Sequence, residues 1–133
     1  MSPHLRIARP VDDLERTVTM YKLGLGLLEI GRFTGHDGFD GVMLGSPDST
    51  FHFEFTYCHS HPVSPTPTPE DLLVFYVPDV ESWNARCQAM LDAGFAEVAS
   101  FNPYWSRLGR TFEDQNGYRG ALQQAEWRNV SAA

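Results

Sequence analysis

The sequence predicts an α+β fold in which two pseudo-symmetric βαβββ units form a curled mixed sheet around a cleft. Three observations carry that expectation. The order strand, helix, three strands is spelled twice along the chain. A stretch with four prolines over 58–71, "CHSHPVSPTPTPED", separates the two runs and reads as a semi-rigid linker. Short matches recur in the same order: "VDDLE" at 11–15 answers "VPDVE" at 77–81, an offset of 66, and "GLLEIGRF" at 26–33 answers "GFAEVASF" at 94–101, an offset of 68. A second helix two residues longer than the first accounts for the difference. Each small sheet needs its apolar face covered, and the helix of its own unit supplies the cover.

Residues 5–11, "LRIARPV", read as a strand that ends at Pro10. Asp12, three residues before Glu15, resembles a capping box. Leu14, Val18, Tyr21 and Leu25 fall at helical spacing, so 13–23 is an amphipathic helix, and Gly24 is a natural stop. Strands follow at 27–34, at 41–45 after the turn-forming "GHDGFDG", and at 51–57. The last of these, "FHFEFTY", alternates strictly: Phe51, Phe53, Phe55 and Tyr57 share one face, and His52, Glu54 and Thr56 the other. Beyond the linker, "LLVFYV" at 72–77 is a strand. Asp79 caps a helix carrying Val80, Trp83, Cys87 and Met90, and Gly94 ends it. Residues 95–101 read as a strand, 102–110 as a loop, "TFED" as short and extended, and 118–127 as the last strand.

The bulk numbers bound the function. A chain of 133 residues is one domain, here 1–133, with units at about 4–57 and 72–127. Apolar residues make up 42% and charged residues 20%, a globular balance. A net charge of −7 without a basic stripe excludes general nucleic-acid binding. No apolar run reaches the ~18 residues of a membrane span. The opening "MSPHLRIARPVDDLER" is too charged for a secretory signal, so a cytoplasmic location is expected. Cys58 and Cys87, the two cysteines, read as free, packed thiols.

The pieces "VDDLERTVTMYKLGLGLLEIGRF", "FEFTY", "VPDVE" and "TFEDQNGYRGALQ" resemble the vicinal oxygen chelate superfamily, the group of glyoxalase I, bleomycin resistance proteins and ring-cleaving extradiol dioxygenases. The resemblance spans residues 5–125. "FEDQNGY" is close to the family's "F-x-D-P-x-G" turn, with Gln115 where proline is common. The superfamily hosts isomerases, dioxygenases, epimerases, thiol transferases and drug-sequestering proteins, so fold alone does not supply function.

The resemblance implies four inward-facing metal-ligand positions, two per unit. Carried over residue by residue, they fall on Arg6, Glu54, Leu72 and Ala121. A catalytic zinc or iron needs about three protein ligands. Only Glu54 can bind a cation, and a guanidinium beside it would repel one. An Arg6–Glu54 ion pair is expected instead, and no cofactor or divalent metal. Of the other histidines, His52 shares a face with Glu54, roughly 6–7 Å along the strand. His59 and His61 fall in the linker, and His4 and His36 read as solvated.

Alternation predicts a cleft lined by Arg6, Ala8, His52, Glu54, Thr56, Leu72, Val74, Tyr76, Arg119, Ala121 and Gln123. Ile7, Phe53, Phe55, Leu73, Phe75 and Leu122, of the other parity, pack under the helices. Tyr104 and Trp105 in the loop "NPYWSRLGR" are placed to stack on an aromatic ligand. Arg6 and Arg119 favour an anion. Arg107 and Arg110 read as solvated charges. A small-molecule-binding protein without a catalytic metal follows, similar to the bleomycin-resistance branch, with a small organic ligand, aromatic or anionic. The resemblance implies a homodimer. An alternative is a lyase or isomerase with Glu54 as base, His52 or Tyr76 as acid and Arg6 stabilising an enolate-like charge. A further alternative is a metal-dependent dioxygenase or lyase using His52, Glu54 and a linker histidine.

Overall fold

The first strand, β1 (Leu5–Pro10), feeds helix α1 (Leu14–Leu25) through a cap that the sequence placed one residue early. The cap is Asp13, whose carboxylate accepts from the Arg16 backbone N–H at 3.1 Å. Glu15 does not reach back as a capping box would; it pairs with Arg32 instead. Gly24 does not stop the helix. Helix α1 runs on to Leu25, and Gly26 takes the left-handed conformation that ends it, at φ 69°. Gly24 sits buried in the last turn because α1 approaches the second unit closely there. A Cβ at Gly24 would lie 2.9 Å from Met90 Sδ and from Phe95 Cε1.

Strands β2 (Leu28–His36) and β3 (Phe39–Gly45) form a hairpin. His36 pairs with Phe39, and Asp37 and Gly38 both take positive φ, the two-residue turn that an Asp-Gly pair favours. Strand β4 (Phe51–Cys58) then pairs antiparallel with β3 and parallel with β1. The second unit repeats the plan with β5 (Leu72–Tyr76), α2 (Val80–Asp92), β6 (Ala96–Val98), β7 (Gly109–Glu113) and β8 (Arg119–Gln123). Asp79 caps α2, as its sequence offset of 66 from Asp13 requires. Helix α2 has 13 residues against 12 in α1, one more rather than two. The computed structural model describes residues 2–130; Met1 and residues 131–133, included in the expected domain range, lie outside them.

Two elements are shorter than expected. Residues 95–101 form a strand only over 96–98, because Asn102 turns the chain away: its side chain accepts from Tyr104 N–H at 3.0 Å and opens a 3₁₀ turn, Pro103–Ser106. The last strand stops at Gln123 rather than 127, because its neighbours end there: β5 stops at Tyr76, and β7 begins at Gly109 opposite Gln123.

The result is an α+β fold with two four-stranded mixed sheets, ordered β1-β4-β3-β2 and β5-β8-β7-β6. Among the described residues, no helix is long and apolar enough to cross a membrane. The aromatic parity of β4 points to the core. Phe53 and Phe55 are fully buried and stack at 5.7 Å, and the Tyr21 ring lies 4.6 Å from Phe55 and 5.2 Å from Phe95. Ile7, Leu73, Phe75 and Leu122 join this cluster, so it spans both units. Of the α2 stripe, Cys87 and Met90 are buried and Trp83 packs against the core, but Val80 is exposed, lying in the first turn beyond the reach of the sheet. Both cysteines are free.

A polar latch joins the units at the "FEDQNGY" turn. Buried Asp114 accepts from Tyr21 Oη at 2.8 Å and from the backbone N–H of Asn116 and Tyr118 at 2.8 and 3.0 Å. Burial, and then the Asp114 charge, push the Tyr21 hydroxyl well above its ordinary pKa, so it stays a donor. Asn116 reaches the Thr17 hydroxyl, and Tyr118 donates to the Pro10 carbonyl at 2.8 Å.

Candidate functional site

The strand register makes four positions equivalent. Ala8 stands opposite Glu54 in the parallel pair of the first sheet, and Val74 opposite Ala121 in that of the second. Arg6 and Leu72 each lie two residues earlier on their strands. These four are the positions that the resemblance assigns to metal ligands. Glu54 is the one anionic side chain among them, and Arg6 Nη1 donates to its Oε2 at 3.2 Å. Leu72 and Ala121 offer no donor atom, so the set does not fit a divalent cation.

Around Arg6 the structure builds a hydrogen-bonded chain. Arg6 Nε donates to His52 Nε2 at 2.9 Å. Nε2 is therefore the acceptor, the His52 proton sits on Nδ1, and that proton bonds His4 Nε2 at 2.6 Å. Burial, then the charge of Arg6 and the neighbouring His4, hold His52 below its ordinary pKa, with Glu54 opposing. His4 is thus exposed, as expected, but has a partner. Its position, two before Arg6 on the same strand parity, was the available signal. With both ring nitrogens engaged, His52 is a neutral bridge rather than a free acid.

The second half of the expected lining lies on the other sheet. Tyr76 is exposed and its ring is 5.9 Å from Trp127. Tyr104 and Trp105 meet edge to face at 5.0 Å in the 3₁₀ turn, and Arg107 lies 5.6 Å from the Tyr104 ring centre. With Gln123 and Trp127 they line a cavity of about 580 Å³. Gln123 is buried and donates to the Trp105 carbonyl at 3.1 Å, holding the aromatic turn in place. It can lie there because Gly109 opposite has no Cβ, which would fall on its amide. Trp127 was expected at the end of a strand; it lies beyond the strand and on the cavity.

Other expected lining residues take different places. Arg119 is not open to an anion: its Nε pairs with Glu113 at 3.1 Å. Ala121 is fully buried, and Ala8 faces a different cavity beside the linker. Arg110 is not merely solvated; it forms a two-bond pair with Glu97 at 3.0 and 2.6 Å. Arg107 lines the aromatic cavity instead of standing free. His59 meets Asp40 at 2.8 Å, on the hairpin rather than near Glu54. Among the described residues, no hydrogen bond or ion pair joins the Arg6–Glu54 group to the Tyr76–Trp127 group. Among the described residues, no strand pairing joins the two sheets, and β1 and β5 each keep one edge unpaired.

The chain matches the YycE-like N-terminal domain over residues 5–56 and the YycE-like C-terminal domain over residues 70–124. The uncharacterized protein YycE of Bacillus subtilis (strain 168) is 44% identical over 115 residues, spanning 86% of this chain and 83% of that protein. A crystal structure of a YycE protein of unknown function from Bacillus subtilis superposes with a TM-score of 0.88 at 40% identity, covering 95% of this chain and 92% of that one. TnmS3, an antibiotic binding protein from a Streptomyces species, shares the fold with a TM-score of 0.63 at 19% identity, over 95% of this chain and 97% of its own. Leishmania major glyoxalase I does so with a TM-score of 0.69 at 21% identity, over 92% and 86%.

Proposed function

The chain belongs to the YycE-like family of the vicinal oxygen chelate superfamily, and from that premise we propose that it is a small-molecule-binding protein working without a catalytic metal. The carrying observation is the cavity walled by Tyr76, Tyr104, Trp105 and Trp127, with the Arg107 guanidinium at its edge. Aromatic faces suit a flat, conjugated ligand, and the cation suits a negative charge on it. A fold-mate that binds an antibiotic supports the reading by analogy. The ligand is a small organic molecule, aromatic or anionic; Glu126 lines the same cavity, with its charge paired to Arg128 at 2.9 Å.

Isothermal titration against a panel of aromatic carboxylic acids and glycopeptide drugs tests this. Saturable binding that weakens about tenfold on Trp127→Ala is expected, a typical loss for an exposed stacking partner. A panel without binders, or binding indifferent to Trp127 and Trp105, overturns it.

The working unit is a homodimer. The strand edges left unpaired within the chain and the division of the polar and aromatic groups between two sheets support this. Two free, buried thiols fit a reducing cytoplasm.

A catalytic reading rests on the His4–His52–Arg6–Glu54 chain. There Glu54 is the base of a lyase or isomerase and Arg6 stabilises the developing enolate charge. Tyr76 forms no hydrogen bond with that chain among the described residues and stands in the aromatic cavity instead. Exchange of a substrate α-proton with solvent, abolished in Glu54→Gln, supports this reading; exchange that survives the substitution removes it.

A further inference from the structure

Arg9 stands at an unexpected point of β1. It alternates with Ile7 and Val11, both of which pack into the core, so its side chain is directed to the interior side of the strand. An arginine there ordinarily has a carboxylate partner. None of the ion pairs among the described residues includes Arg9, and its Nη1 is buried with no hydrogen-bond partner. Its Cζ lies 4.5 Å from the Tyr118 ring centre. That contact occupies the flat face of the guanidinium and leaves its N–H edge in need of an acceptor.

The guanidinium lines a cavity of about 340 Å³ between β1 and the proline-rich linker. The linker wall carries Ser64, Thr66 and Pro67. It is an ordered wall: Asp71 Oδ2 accepts from the Thr68 N–H at 2.7 Å while Asp71 N donates back to the Thr68 carbonyl at 3.0 Å. Pro67 packs so close to Gly117 that a Cβ there would lie 3.2 Å from its Cγ. The Tyr118 hydroxyl is committed to the Pro10 carbonyl, and one Asp71 oxygen to Thr68. The hydroxyls of Ser64 and Thr66 have no partner among the described residues and line the same space as Arg9.

We propose that this cavity is a second binding site, distinct from the aromatic one, for a small molecule bearing a single carboxylate. The carboxylate takes the paired N–H groups of Arg9, and the linker hydroxyls bond its remaining lone pairs. Asp71, within charge reach of Arg9, leaves the cavity without net positive charge, so a monoanion is held by the directed bonds rather than by net charge. A phosphate dianion fits less well, because Asp71 already places a negative charge on the rim.

The test uses the full chain with sodium lactate, sodium acetate and inorganic phosphate, each at constant ionic strength with chloride as the balancing salt. Saturable thermal stabilisation by lactate or acetate is expected, accompanied by shifts of the Thr66 and Tyr118 amide resonances. Arg9→Met should weaken it about tenfold or more, since the charged donor pair is lost, and Arg6→Met should leave it intact. If Arg9→Met does not fold, Arg9→Lys and Thr66→Val take its place; the first keeps the charge and loses the fork, and both should weaken binding. Equal responses in parent and Arg9 variants overturn the site. So does a response that follows Arg6, and so does no response at all. Phosphate binding more tightly than either carboxylate overturns the ligand class.

Discussion

His52 shows how one side chain can hold an exposed sheet face in a single arrangement. It accepts from Arg6 and donates to His4, and the first of these bonds needs the neutral ring. Four groups face it: His4, Arg6, Glu54 and solvent. Burial, then Arg6 and His4, depress its pKa, and Glu54 opposes them less strongly. The unfolded chain therefore takes the proton first as pH falls. The stabilisation is fully present above the ordinary histidine value of about 6.5 and is lost as pH falls through the lower folded value. The expected outcome is a thermal midpoint that drops between about pH 7 and pH 5 more steeply in the parent than in His52→Gln. Identical slopes in the two proteins would sink this account. At this scale the sequence was partly legible. The Arg6–Glu54 pair follows from two residues on a shared parity. The exposed loop-end Trp127 does not, because no periodicity reaches beyond the last strand.

Elements depend on both local chemistry and packing. Asp13 and Asp79 cap their helices by the same bond, from a carboxylate to the N–H three residues on. Burying the apolar stripe then decides where each helix lies. Gly24 illustrates the competition. Alanine in a helix interior is better than glycine by about 1 kcal/mol. Pushing Met90 and Phe95 aside costs about 1–3 kcal/mol, because the Phe95 ring is buried and has no room to retreat. Gly24→Ala is expected to lose about 1 kcal/mol net in chemical denaturation; a gain would mean that the helices have slack at this crossing. Sequence reasoning took Gly24 as a helix stop because a buried close approach and a cap ask for the same residue. The stretch "GLGL" at 24–27 offers two candidates, and only packing against the second unit distinguishes them.

At the scale of the molecule, the two units share a core and a latch. Asp114 binds the Tyr21 hydroxyl across 93 residues of sequence. The sheets nonetheless keep separate strand orders. A second copy that pairs β1 with β5 would bring the Arg6–Glu54 group of one chain beside the aromatic cavity of the other. Sedimentation should therefore give a dimer at micromolar concentration. A mixture of Arg6→Met and Trp127→Ala chains should recover part of the ligand affinity that each variant loses on its own. A monomer throughout the range, or a mixture no better than its parts, would show that a single chain suffices.

The alternation of β4, the doubled helix caps and the offsets near 66 residues were enough to specify two βαβββ units and their core faces. These are local and periodic properties, and the chain carries them wherever it goes. Tertiary structure alone decided that Gln123 props the aromatic turn, that Arg119 and Arg110 are claimed by Glu113 and Glu97, and that Arg9 lines the linker cavity with its Nη1 unpartnered. Those outcomes depend on which distant groups arrive within about 3 Å of one another, the reach of a hydrogen bond, and neither parity nor spacing along one strand contains that information.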